Sequence, residues 1–564
     1  MNRSFDTQAL DTLLADRPFA ASDRMLVSHL REDWKEDNPW LQLAAALALL
    51  AVREGHTYLE ISRPQISNSV VLPRPWPSLS QWIGWVENSP VVRHATDSCS
   101  KPLVLEAEGS LYLEKYYQFE RRLADRLREK TSLQSGEPNA SPSDRAVNSA
   151  FFIITGGPGT GKTTLALQYL NTLIANWNEN RPPRFAAVAP TGKAAARLAE
   201  SIATGVKRLD APPERKQQLA RIPCLTIHRL LGSLPHRTSF RRNASNPLDY
   251  DAIVIDEASM IDLPLMMRLF DAVPDSCRTL MLGDRDQLAS VDVGSVLHDL
   301  LEAAESPGSP LCDKVERLTR TYRFREDSSI YQACQAARIG DENAFAETLN
   351  LKQSDFAYHP IHADAKRIPE SALQQALRRH ESLKTADTPE TAVARLTESM
   401  ILCPTRNGPF GTVAFNAAIE RRIRAERGLK PDDAFSGLPI IILENDYELE
   451  LYNGDLGTLW GNATDGIYAY FSGIGGTVRR FRVSELPRHD AAFALTIHKS
   501  QGSEFTETTT LFGPSDSQLL TRELLYTAFS RAREKLIVYG NVDTLLAAIR
   551  RKAQRATRLA KLLR

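Results

Sequence analysis

Residues 156–163 have the types and spacing of a phosphate-binding loop. They are Gly156, Gly157, Pro158, Gly159, Thr160, Gly161, Lys162 and Thr163. This complete GxxxxGK[ST] pattern lies between an apolar strand pattern at 151–155 and a helical pattern at 162–175. Glycines let backbone N–H groups curl around phosphate oxygens, and the helix start adds its positive dipole end. The pattern predicts that Lys162 contacts the β- and γ-phosphates of a nucleoside triphosphate and that Thr163 binds Mg²⁺. A plain glycine-rich turn is the alternative.

A pair of carboxylates follows an apolar strand further along the chain. Residues 251–255 (DAIVI) run directly into Asp256 and Glu257. Because successive side chains at a strand end point in different directions, the two carboxylates can take different roles. We expect Asp256 to hold Mg²⁺ through water and Glu257 to act as general base for the attacking water. An exposed acidic pair at a turn is the alternative.

Three further side chains are candidates for contacts to the γ-phosphate. Gln287 follows a predicted strand at 279–282, and an amide at that place can orient the attacking water. Arg323 and Arg531 are candidate arginine fingers. They lie at the start of, or within, elements of the second half of the α/β region, and closure of two domains would bring them onto phosphate. A turn glutamine and ordinary salt bridges are the alternatives.

Four polar or basic clusters follow predicted strands and could contact successive phosphates, such as those of a nucleic-acid backbone. They contain Pro190, Thr191 and Lys193; Thr226, His228 and Arg229; Arg406 and Asn407; and His498, Lys499 and Ser500. Backbone amides at helix starts suit phosphates, so the clusters predict a track of phosphate contacts across two domains. For each cluster alone, a solvated basic face is the alternative.

The elements that must position these residues follow from length and patterning. A chain of 564 residues predicts several domains. Strand patterns that alternate with helical patterns predict an α/β fold with two parallel-sheet motor domains. The expected strands are at 151–155, 186–188, 252–255 and 279–282, and then at 400–403, 491–496 and 536–539. Glycine-rich strand patterns at about 439–485 predict a small inserted β-barrel.

The predicted organisation has an α+β N-terminal unit, a linker and two α/β units. The boundaries are 1–130, 131–150, 151–335 and 336–564. The apolar run 41–52 predicts a buried helix, and 112–130 predicts an amphipathic helix. The basic residues 550–564 predict another amphipathic helix, with a solvated or subunit-facing role favoured over DNA binding.

Composition limits the classes of function. Hydrophobic residues make up 42% and charged residues 24%, which is typical of a soluble globular protein. Because 69 basic residues balance 69 acidic ones, nucleic acid would need a local basic channel. The six cysteines form no CxxC pair, which disfavours zinc, iron–sulfur and disulfide frameworks and fits a reducing cytoplasm. We find no targeting segment and no apolar run long enough to span a membrane.

In this order, the motifs resemble those of superfamily 1 DNA helicases. Within that superfamily they are similar to the RecD family, the alpha subunit of bacterial exodeoxyribonuclease V (RecBCD). The motifs that carry the resemblance are GGPGTGKTT, APTGKAAARL, TIHRLLG, VIDEASMIDLPLM, LCPTRNGPFGTVAFN, LYNGDLG, TIHKSQGSEF and YTAFSRA. They extend from residue 151 to about 539, most of the chain.

The resemblance implies two RecA-like domains that bind ATP at their interface and move 5′→3′ along single-stranded DNA. It implies RecB-like and RecC-like partners in a heterotrimer that acts on duplex ends in double-strand break repair and recombination, with another chain cutting the DNA. It also implies that Glu504 hydrogen-bonds the ribose and that the basic segment 234–247 forms the strand-separating hairpin, for which a mobile loop is the alternative. The family's adenine-reading glutamine has only Gln134 as a counterpart.

Two other functions stay open at this point. The chain could be a stand-alone 5′→3′ helicase of the same branch, which would be active as a monomer. Alternatively, it could be a structural subunit with a vestigial ATPase. The intact set of candidate catalytic residues disfavours the vestigial ATPase.

Overall fold

The computed structural model describes the chain except for residues 1–4, 67–69, 107, 133–140, 235–238, 326, 352, 432, 447, 463–465, 474–476 and 516. The fold has two parallel β-sheets, one mixed sheet and one antiparallel sheet. The predicted α/β class with two parallel sheets is therefore confirmed. Within the described residues, no helix is both long and apolar enough to cross a bilayer.

The first parallel sheet has six strands. In spatial order these are Val315–Leu318, Phe151–Gly156, Arg278–Gly283, Ala252–Ile255, Phe185–Ala189 and Cys224–Thr226. Side chains of one strand alternate between two cores, with Phe151 and Ile153 in one and Phe152 and Ile154 in the other. Because both faces are covered, the strands are continuously apolar, as is usual in parallel sheets.

Helices cover both faces of this sheet. They are Pro142–Val147, Lys162–Ala175, Gly192–Arg208, Pro213–Ala220, Ile227–Leu231, Leu263–Ala272 and Val296–Ala304, with a 3₁₀ turn at Ala258–Met260. The helix after the phosphate-loop pattern has the predicted bounds.

The second parallel sheet has five strands. In spatial order these are Phe356–Pro360, Ala532–Gly540, Phe505–Leu511, Ser399–Cys403 and Ala494–Thr496. Its helices are Ser329–Ile339, Glu342–Leu349, Glu370–Lys384, Pro389–Arg395, Thr412–Arg427, Arg522–Phe529 and Val542–Arg550, with a 3₁₀ turn at His498–Ser500. Alternate residues again enter two cores, with Met400 and Leu402 in one and Ile401 and Cys403 in the other.

The inserted β-element is a five-stranded antiparallel sheet. Its strands, in spatial order, are Val478–Arg482, Gly466–Ser472, Leu456–Asn462, Leu438–Ile442 and His489–Ala491, with a 3₁₀ turn at Val483–Glu485. In the described part of the chain the two outermost strands do not pair with each other, so hydrogen bonds do not close a barrel there. The predicted strand 491–496 is divided, because its first residue ends this sheet and 494–496 joins the second parallel sheet.

The N-terminal unit combines five helices with a four-stranded sheet. The helices are Thr7–Ala15, Ala21–Glu32, Pro39–Arg53, Leu79–Glu87 and Glu114–Ser132, and the strands are Leu59–Glu60, Val92–His94, Leu103–Leu105 and Ser110–Leu113. The predicted buried helix is confirmed. The predicted helix 112–130 begins later than expected, because Tyr112 belongs to the last strand and donates from its hydroxyl to Glu120 (2.9 Å).

Three predicted boundaries fall within or next to regular elements. Residue 131 lies in the helix Glu114–Ser132, and the segment expected as a linker contains the short helix Pro142–Val147. Residues 133–140 of that segment, including Gln134, lie outside the described residues. Residue 335 lies inside the helix Ser329–Ile339, whose Ile330 and Ala333 pack into the core of the second sheet.

The prediction of a solvated or subunit-facing helix at 550–564 is wrong. Arg550 ends the helix Val542–Arg550, and residues 551–558 form no regular element. One helical turn follows at Leu559–Leu562, and Leu563 is buried in the core of the first α/β unit. Ala556 N donates to His56 Nδ1 (2.9 Å), so the segment also holds the N-terminal unit. Burial lowers the pKa of His56 to about 4, which keeps its ring a neutral acceptor.

Candidate functional site

The candidate nucleotide-binding residues lie at one edge of the first sheet. The phosphate-loop pattern follows the strand Phe151–Gly156, and the acidic pair follows Ala252–Ile255. Gln287 follows Arg278–Gly283, and Arg323 follows Val315–Leu318. Because these strands are parallel, their carboxyl ends meet at the same edge, which is where open α/β sheets bind ligands. The structure therefore brings together residues that are far apart in sequence.

The loop at 156–163 depends on its glycines. Gly161 has φ +89° and directly precedes the helix Lys162–Ala175. Gly159 has φ +73°, and a Cβ built on it would lie 2.4 Å from Cβ of Arg323. Only glycine accepts both this conformation and this close approach. Lys162 Nζ donates to the carbonyl of Gly157 (3.0 Å), within the loop.

The segment that carries Arg323 is fastened to this loop. Tyr322 N donates to Gly159 O (2.8 Å), and Thr321 Oγ1 donates to Pro158 O (3.2 Å). Arg323 therefore lies on the connection between the two sheets and is anchored on the first. This corrects the prediction that it belongs to the second half of the motor, because only its side chain reaches across, to Ser530 O (3.3 Å).

Asp256 and Glu257 lie at the point where their strand ends. Glu257 has φ +50°, and its N–H donates to Asp256 Oδ1 (2.9 Å). Burial raises the pKa of Asp256 to about 6 and the charge of Glu257 adds to this, whereas Lys162 opposes it. A divalent cation would stabilise this carboxylate in its charged form. Mg²⁺ is usually bound by one or two protein oxygens and several waters. The Asp256 carboxylate and the half-buried hydroxyl of Thr163 fit such a ligand set.

A buried hydrogen-bond network holds Gln287. Gln287 Nε2 and the Tyr526 hydroxyl both donate to Asp284 Oδ2, each at 3.0 Å. Burial raises the pKa of Tyr526 well above its usual range and the charge of Asp284 adds to this, so the hydroxyl stays protonated. Gln287 Oε1 is buried and has no hydrogen-bond partner among the described residues. It is therefore an acceptor available to a reacting water. Its amide donates to Asp284, which Tyr526 holds from the helix Arg522–Phe529 of the second unit.

Glu504 is the centre of an arginine cluster between the two sheets. Its side chain is 9% exposed and forms ion pairs with Arg197, Arg323 and Arg533, the last at 3.1 Å. Burial opposes its ionisation, but the charges of Arg197 and Arg323 outweigh burial and hold the pKa of Glu504 at about 2. A ribose hydrogen bond, as the resemblance implies, requires one of these ion pairs to give way.

Arg531 lies beside this cluster at the start of the strand Ala532–Gly540. It is buried, and it donates from Nε to Thr527 O (3.0 Å) and from Nη1 to Ser503 O (3.2 Å). Burial lowers the pKa of Arg531, and the charge of Glu257 opposes this. A buried guanidinium whose hydrogen bonds go to neutral carbonyls keeps its charge for an anion at the interface.

The second sheet presents its two groups of candidates at opposite edges. Glu504 and Arg531 precede strands, whereas Arg406 and His498 follow strands. In a parallel sheet all amino ends lie at one edge and all carboxyl ends at the other. The expected ATP-facing and DNA-facing residues of this unit are therefore separated by the length of the strands.

The DNA-binding candidates of the first sheet begin two helices. Thr191 caps Gly192–Arg208 and accepts from Ala194 N (3.2 Å), and Thr226 caps Ile227–Leu231 and accepts from Arg229 N (3.1 Å). Further residues of these clusters are Pro190, which is half-buried, and His228 and Arg229, which are exposed. The two threonine hydroxyls are therefore engaged as acceptors within the chain.

Lys193 lies at a contact with the inserted sheet. Burial lowers its pKa to about 8, opposed by the charge of Asp455. A Cβ built on Gly192 would lie 2.6 Å from Cγ of Tyr452, so the tyrosine ring packs directly on this helix start. The expected contact of Lys193 with a phosphate therefore competes with a carboxylate of the second unit.

The candidates on the second sheet differ in accessibility. Arg406 and Asn407 are exposed, and Arg406 pairs with Asp490 (3.3 Å). Burial lowers the pKa of Lys499 and nearby Arg406 adds to this. The prediction for Ser500 is wrong, because its hydroxyl is fully buried and donates to a carbonyl in its own turn (2.7 Å).

His498 differs from the expected cationic contact. Burial lowers the pKa of His498, and the nearby guanidinium of Arg555 lowers it further. The ring is therefore neutral at physiological pH and can contact DNA only as an uncharged group.

The basic segment 234–247 turns back on itself. Ser233 and Phe240 form an antiparallel bridge, and residues 235–238 of the predicted hairpin lie outside the described residues. The Phe240 ring lies 5.7 Å from His228 and 5.5 Å from the guanidinium of Arg268. The aromatic side chain is thus packed against the first unit in this structure.

Sequence reasoning missed four residues of the cleft. They are Arg197, Asp284, Tyr526 and Arg533. Arg197 and Tyr526 lie inside the quoted motifs. Asp284 lies three residues before Gln287 and Arg533 lies two residues after Arg531, so all four positions carried a signal. Their roles depend on partners from the other sheet, which spacing alone does not indicate.

Comparison with known proteins agrees with the motifs. Family models match 16–112 (RecBCD enzyme subunit RecD, N-terminal domain), 140–293 (AAA domain) and 491–539 (UvrD-like helicase C-terminal domain). A relative named RecBCD enzyme subunit RecD, from Mycolicibacterium smegmatis, is 36% identical over 94% of this chain and 94% of its own length.

The chain belongs to the RecD family.

A more distant relative is the ATP-dependent RecD2 DNA helicase of Deinococcus radiodurans, 28% identical over 100% of this chain and 75% of its own length. Among solved structures, the Pif1 helicase from Bacteroides with ADP-AlF3 and ssDNA covers 68% of this chain and 87% of its own. It is 17% identical and has a TM-score of 0.35.

Proposed function

We propose that this RecD-family chain is the ATP-dependent 5′→3′ DNA helicase motor of a RecBCD-type helicase–nuclease, with RecB-like and RecC-like partner subunits. The observation that carries the proposal is the cleft between the two parallel sheets. One side of this cleft bears the phosphate loop, Asp256, Glu257 and Gln287, and the other bears Glu504 and Arg531. Hydrolysis at such an interface can drive cycles of domain closure.

ATP is the substrate of this cleft. The loop amides and Lys162 bind its phosphates, Glu257 accepts a proton from the attacking water, and Gln287 Oε1 orients that water. Arg323 and Arg531 stabilise the charge that develops on the transferred phosphoryl group, an effect typically worth about 10³–10⁵ in turnover. Thr163 and Asp256 would hold Mg²⁺, which neutralises phosphate charge when bound.

DNA binds along the residues that follow the carboxyl ends of strands in the two units. Exposed Arg229, Arg406 and Asn407 support a track that contacts phosphates and therefore binds with little sequence preference and strong salt dependence. The 5′→3′ direction rests on the likeness of the motifs to the RecD family, because residue chemistry alone permits both directions.

The test uses the chain alone and in its native complex, with any second helicase inactivated. We expect single-stranded DNA to stimulate ATP hydrolysis and a duplex with a 5′ tail to be opened in preference to a matched duplex with a 3′ tail. Lys162→Gln should abolish both activities and leave the circular dichroism spectrum unchanged, because it removes the cation at the phosphates. Preference for the 3′ tail would overturn the direction, and full ATPase activity in Lys162→Gln would overturn the site.

A stand-alone helicase is the second candidate, supported by the likeness to the Deinococcus radiodurans RecD2 helicase. The higher identity to a RecBCD subunit over nearly its whole length favours the first candidate, as does the RecD N-terminal model at 16–112. Purification of the native protein separates them, since the first predicts a stable complex with larger partners and the second an active monomer.

A further inference from the structure

Arg197 connects two parts of the cleft that the proposed function treats separately. It belongs to the helix Gly192–Arg208, whose first turn carries the candidate DNA contacts Thr191 and Lys193. Its side chain extends away from that turn into the ATP cleft and forms an ion pair with Glu504. One helix therefore has a DNA-binding candidate at its start and an active-site ion pair in its second turn.

A second contact joins this helix to the same segment of the other sheet. Arg197 Nη1 donates to the carbonyl of Gly502 (2.8 Å). A Cβ built on Gly502 would lie 3.7 Å from Cβ of Ala194 and 4.0 Å from Oε1 of Glu257. The segment 502–504 thus lies between the helix Gly192–Arg208 (the DNA-side helix) and Glu257, the candidate general base.

The partners of Glu504 extend this connection to the candidate fingers. Glu504 also pairs with Arg323, and Ser503 O accepts from Arg531. A guanidinium can donate hydrogen bonds to a carbonyl and a carboxylate at once, because its N–H groups have a fixed planar arrangement. A shift of the helix would therefore move Gly502 and Glu504 as one piece, and with them the groups that hold both fingers.

We propose that Arg197 is a positioning residue that makes ATP turnover depend on DNA. Through Glu504 and Gly502 it transmits the position of the DNA-side helix to Arg323 and Arg531. The inference rests on the proposed function, and it assigns to Arg197 a role in coupling in addition to the roles of the residues that contact ATP.

The test measures the DNA-stimulation factor, the ratio of kcat at saturating single-stranded oligonucleotide to kcat without it. Arg197→Ala should lower this factor by about tenfold or more, whereas the oligonucleotide concentration for half-maximal binding should change by less than about threefold. Arg197→Lys keeps the charge but not the fork, so it should restore only part of the stimulation.

Arg533→Ala is the matched control. Arg533 pairs with the same carboxylate at 3.1 Å, but it belongs to the strand Ala532–Gly540 and its side chain is 55% exposed. It has no contact with the DNA-side helix in the described contacts, so its removal should leave the stimulation factor within about twofold of that of the unaltered chain. Equal losses in the two variants would show that only the charge around Glu504 matters and would overturn the proposal.

A double-mutant cycle tests the route through Glu504. In a Glu504→Gln background, Arg197→Ala should lower the stimulation factor less than it does in the unaltered chain, because the ion pair is already broken and only the hydrogen bond to Gly502 O is left to lose. Full additivity, or stimulation by DNA that is unaffected in Arg197→Ala, would overturn the proposal. Failure of the proposed function is distinguishable, because the unaltered chain would then show no stimulation by DNA at all. Circular dichroism and thermal unfolding of each variant exclude a folding defect.

Discussion

Tyr526→Phe tests the link between the helix Arg522–Phe529 of the second unit and Gln287, the residue proposed to orient the attacking water. The Tyr526 side chain is 4% exposed, and its hydroxyl donates to Asp284 Oδ2 (3.0 Å), which also accepts from Gln287 (3.0 Å). Tyr526→Phe keeps the ring and its packing. It leaves the buried carboxylate of Asp284 with one donor fewer, so that this carboxylate, and the Gln287 amide that donates to it, are held less firmly.

The magnitude follows from this geometry. A hydrogen bond to a charged group contributes about 1.5–3 kcal/mol, and more of that energy is felt when the group left behind is buried. If the whole loss appears in the transition state, kcat falls by about 10–150-fold, since about 1.4 kcal/mol corresponds to a factor of ten. We expect KM for ATP to change by less than about threefold, because Tyr526 forms no part of the phosphate loop.

The assay is steady-state ATP hydrolysis at saturating single-stranded DNA. Tyr358→Phe is the matched control, because its hydroxyl donates to Gly540 O at the same distance (3.0 Å) but wholly within the second sheet. That variant should lose stability without losing kcat. In a Gln287→Ala background, Tyr526→Phe should have little further effect on kcat. A Tyr526→Phe enzyme within about twofold of the unaltered kcat would refute the reasoning, as would additive losses in the double variant.

Three further predictions test the base, the arginine cluster and the C-terminal segment. Glu257→Gln should retain ATP binding but lose hydrolysis, because an amide cannot accept the proton; equilibrium nucleotide titration and turnover assays check this. The pKa of Glu504 falls from 4.5 to about 2, so its ion pairs stabilise the fold above about pH 4.5 and lose that effect as the pH falls towards 2. The difference in urea midpoint between the unaltered chain and Glu504→Gln, corresponding to at most about 3 kcal/mol near neutral pH, should therefore shrink on acidification. Arg555→Ala should lower the free energy of unfolding by about 2–3 kcal/mol and make 551–564 sensitive to protease. The reason is that Asp292 O and Gly294 O lose their donor (2.6 and 2.7 Å). Lys561→Ala, at an exposed position, is the control and should have little effect.

The sequence was sufficient for the elements whose pattern is local. The helix Lys162–Ala175 has the expected bounds, and the strand Phe151–Gly156 ends one residue later than expected. A continuously apolar strand and a glycine loop with a fixed spacing allow few other structures. The buried helix expected at 41–52 is also present, as Pro39–Arg53. In these cases the residues that decide the structure are neighbours in the chain.

Where distant partners decide the structure, prediction from the sequence failed. The segment 550–564 has the composition of an amphipathic helix, yet residues 551–558 are not helical. Arg555 and Ala556 form hydrogen bonds with groups of the first α/β unit and of the N-terminal unit. Ser500 occupies a motif position expected to face DNA, but the 3₁₀ turn directs its hydroxyl to a carbonyl inside the protein. Neither partner lies within range of a local pattern.

The arginine cluster shows why the candidate site was only half predictable. Arg323 and Arg531 could be chosen because a phosphate-binding cleft needs positive charge brought from a second element. The carboxylate that balances this charge could not be chosen, because Glu504 was expected to face a ribose. Only the packing of the two sheets shows that Glu504 forms ion pairs with Arg197, Arg323 and Arg533. Two of these arginines come from the first unit or its connection, and the third comes from the second unit. The carboxylate therefore senses the relative position of the two sheets through its ion pairs, and any ligand that competes for Arg323 must change that position or the hydrogen bonds of Glu504.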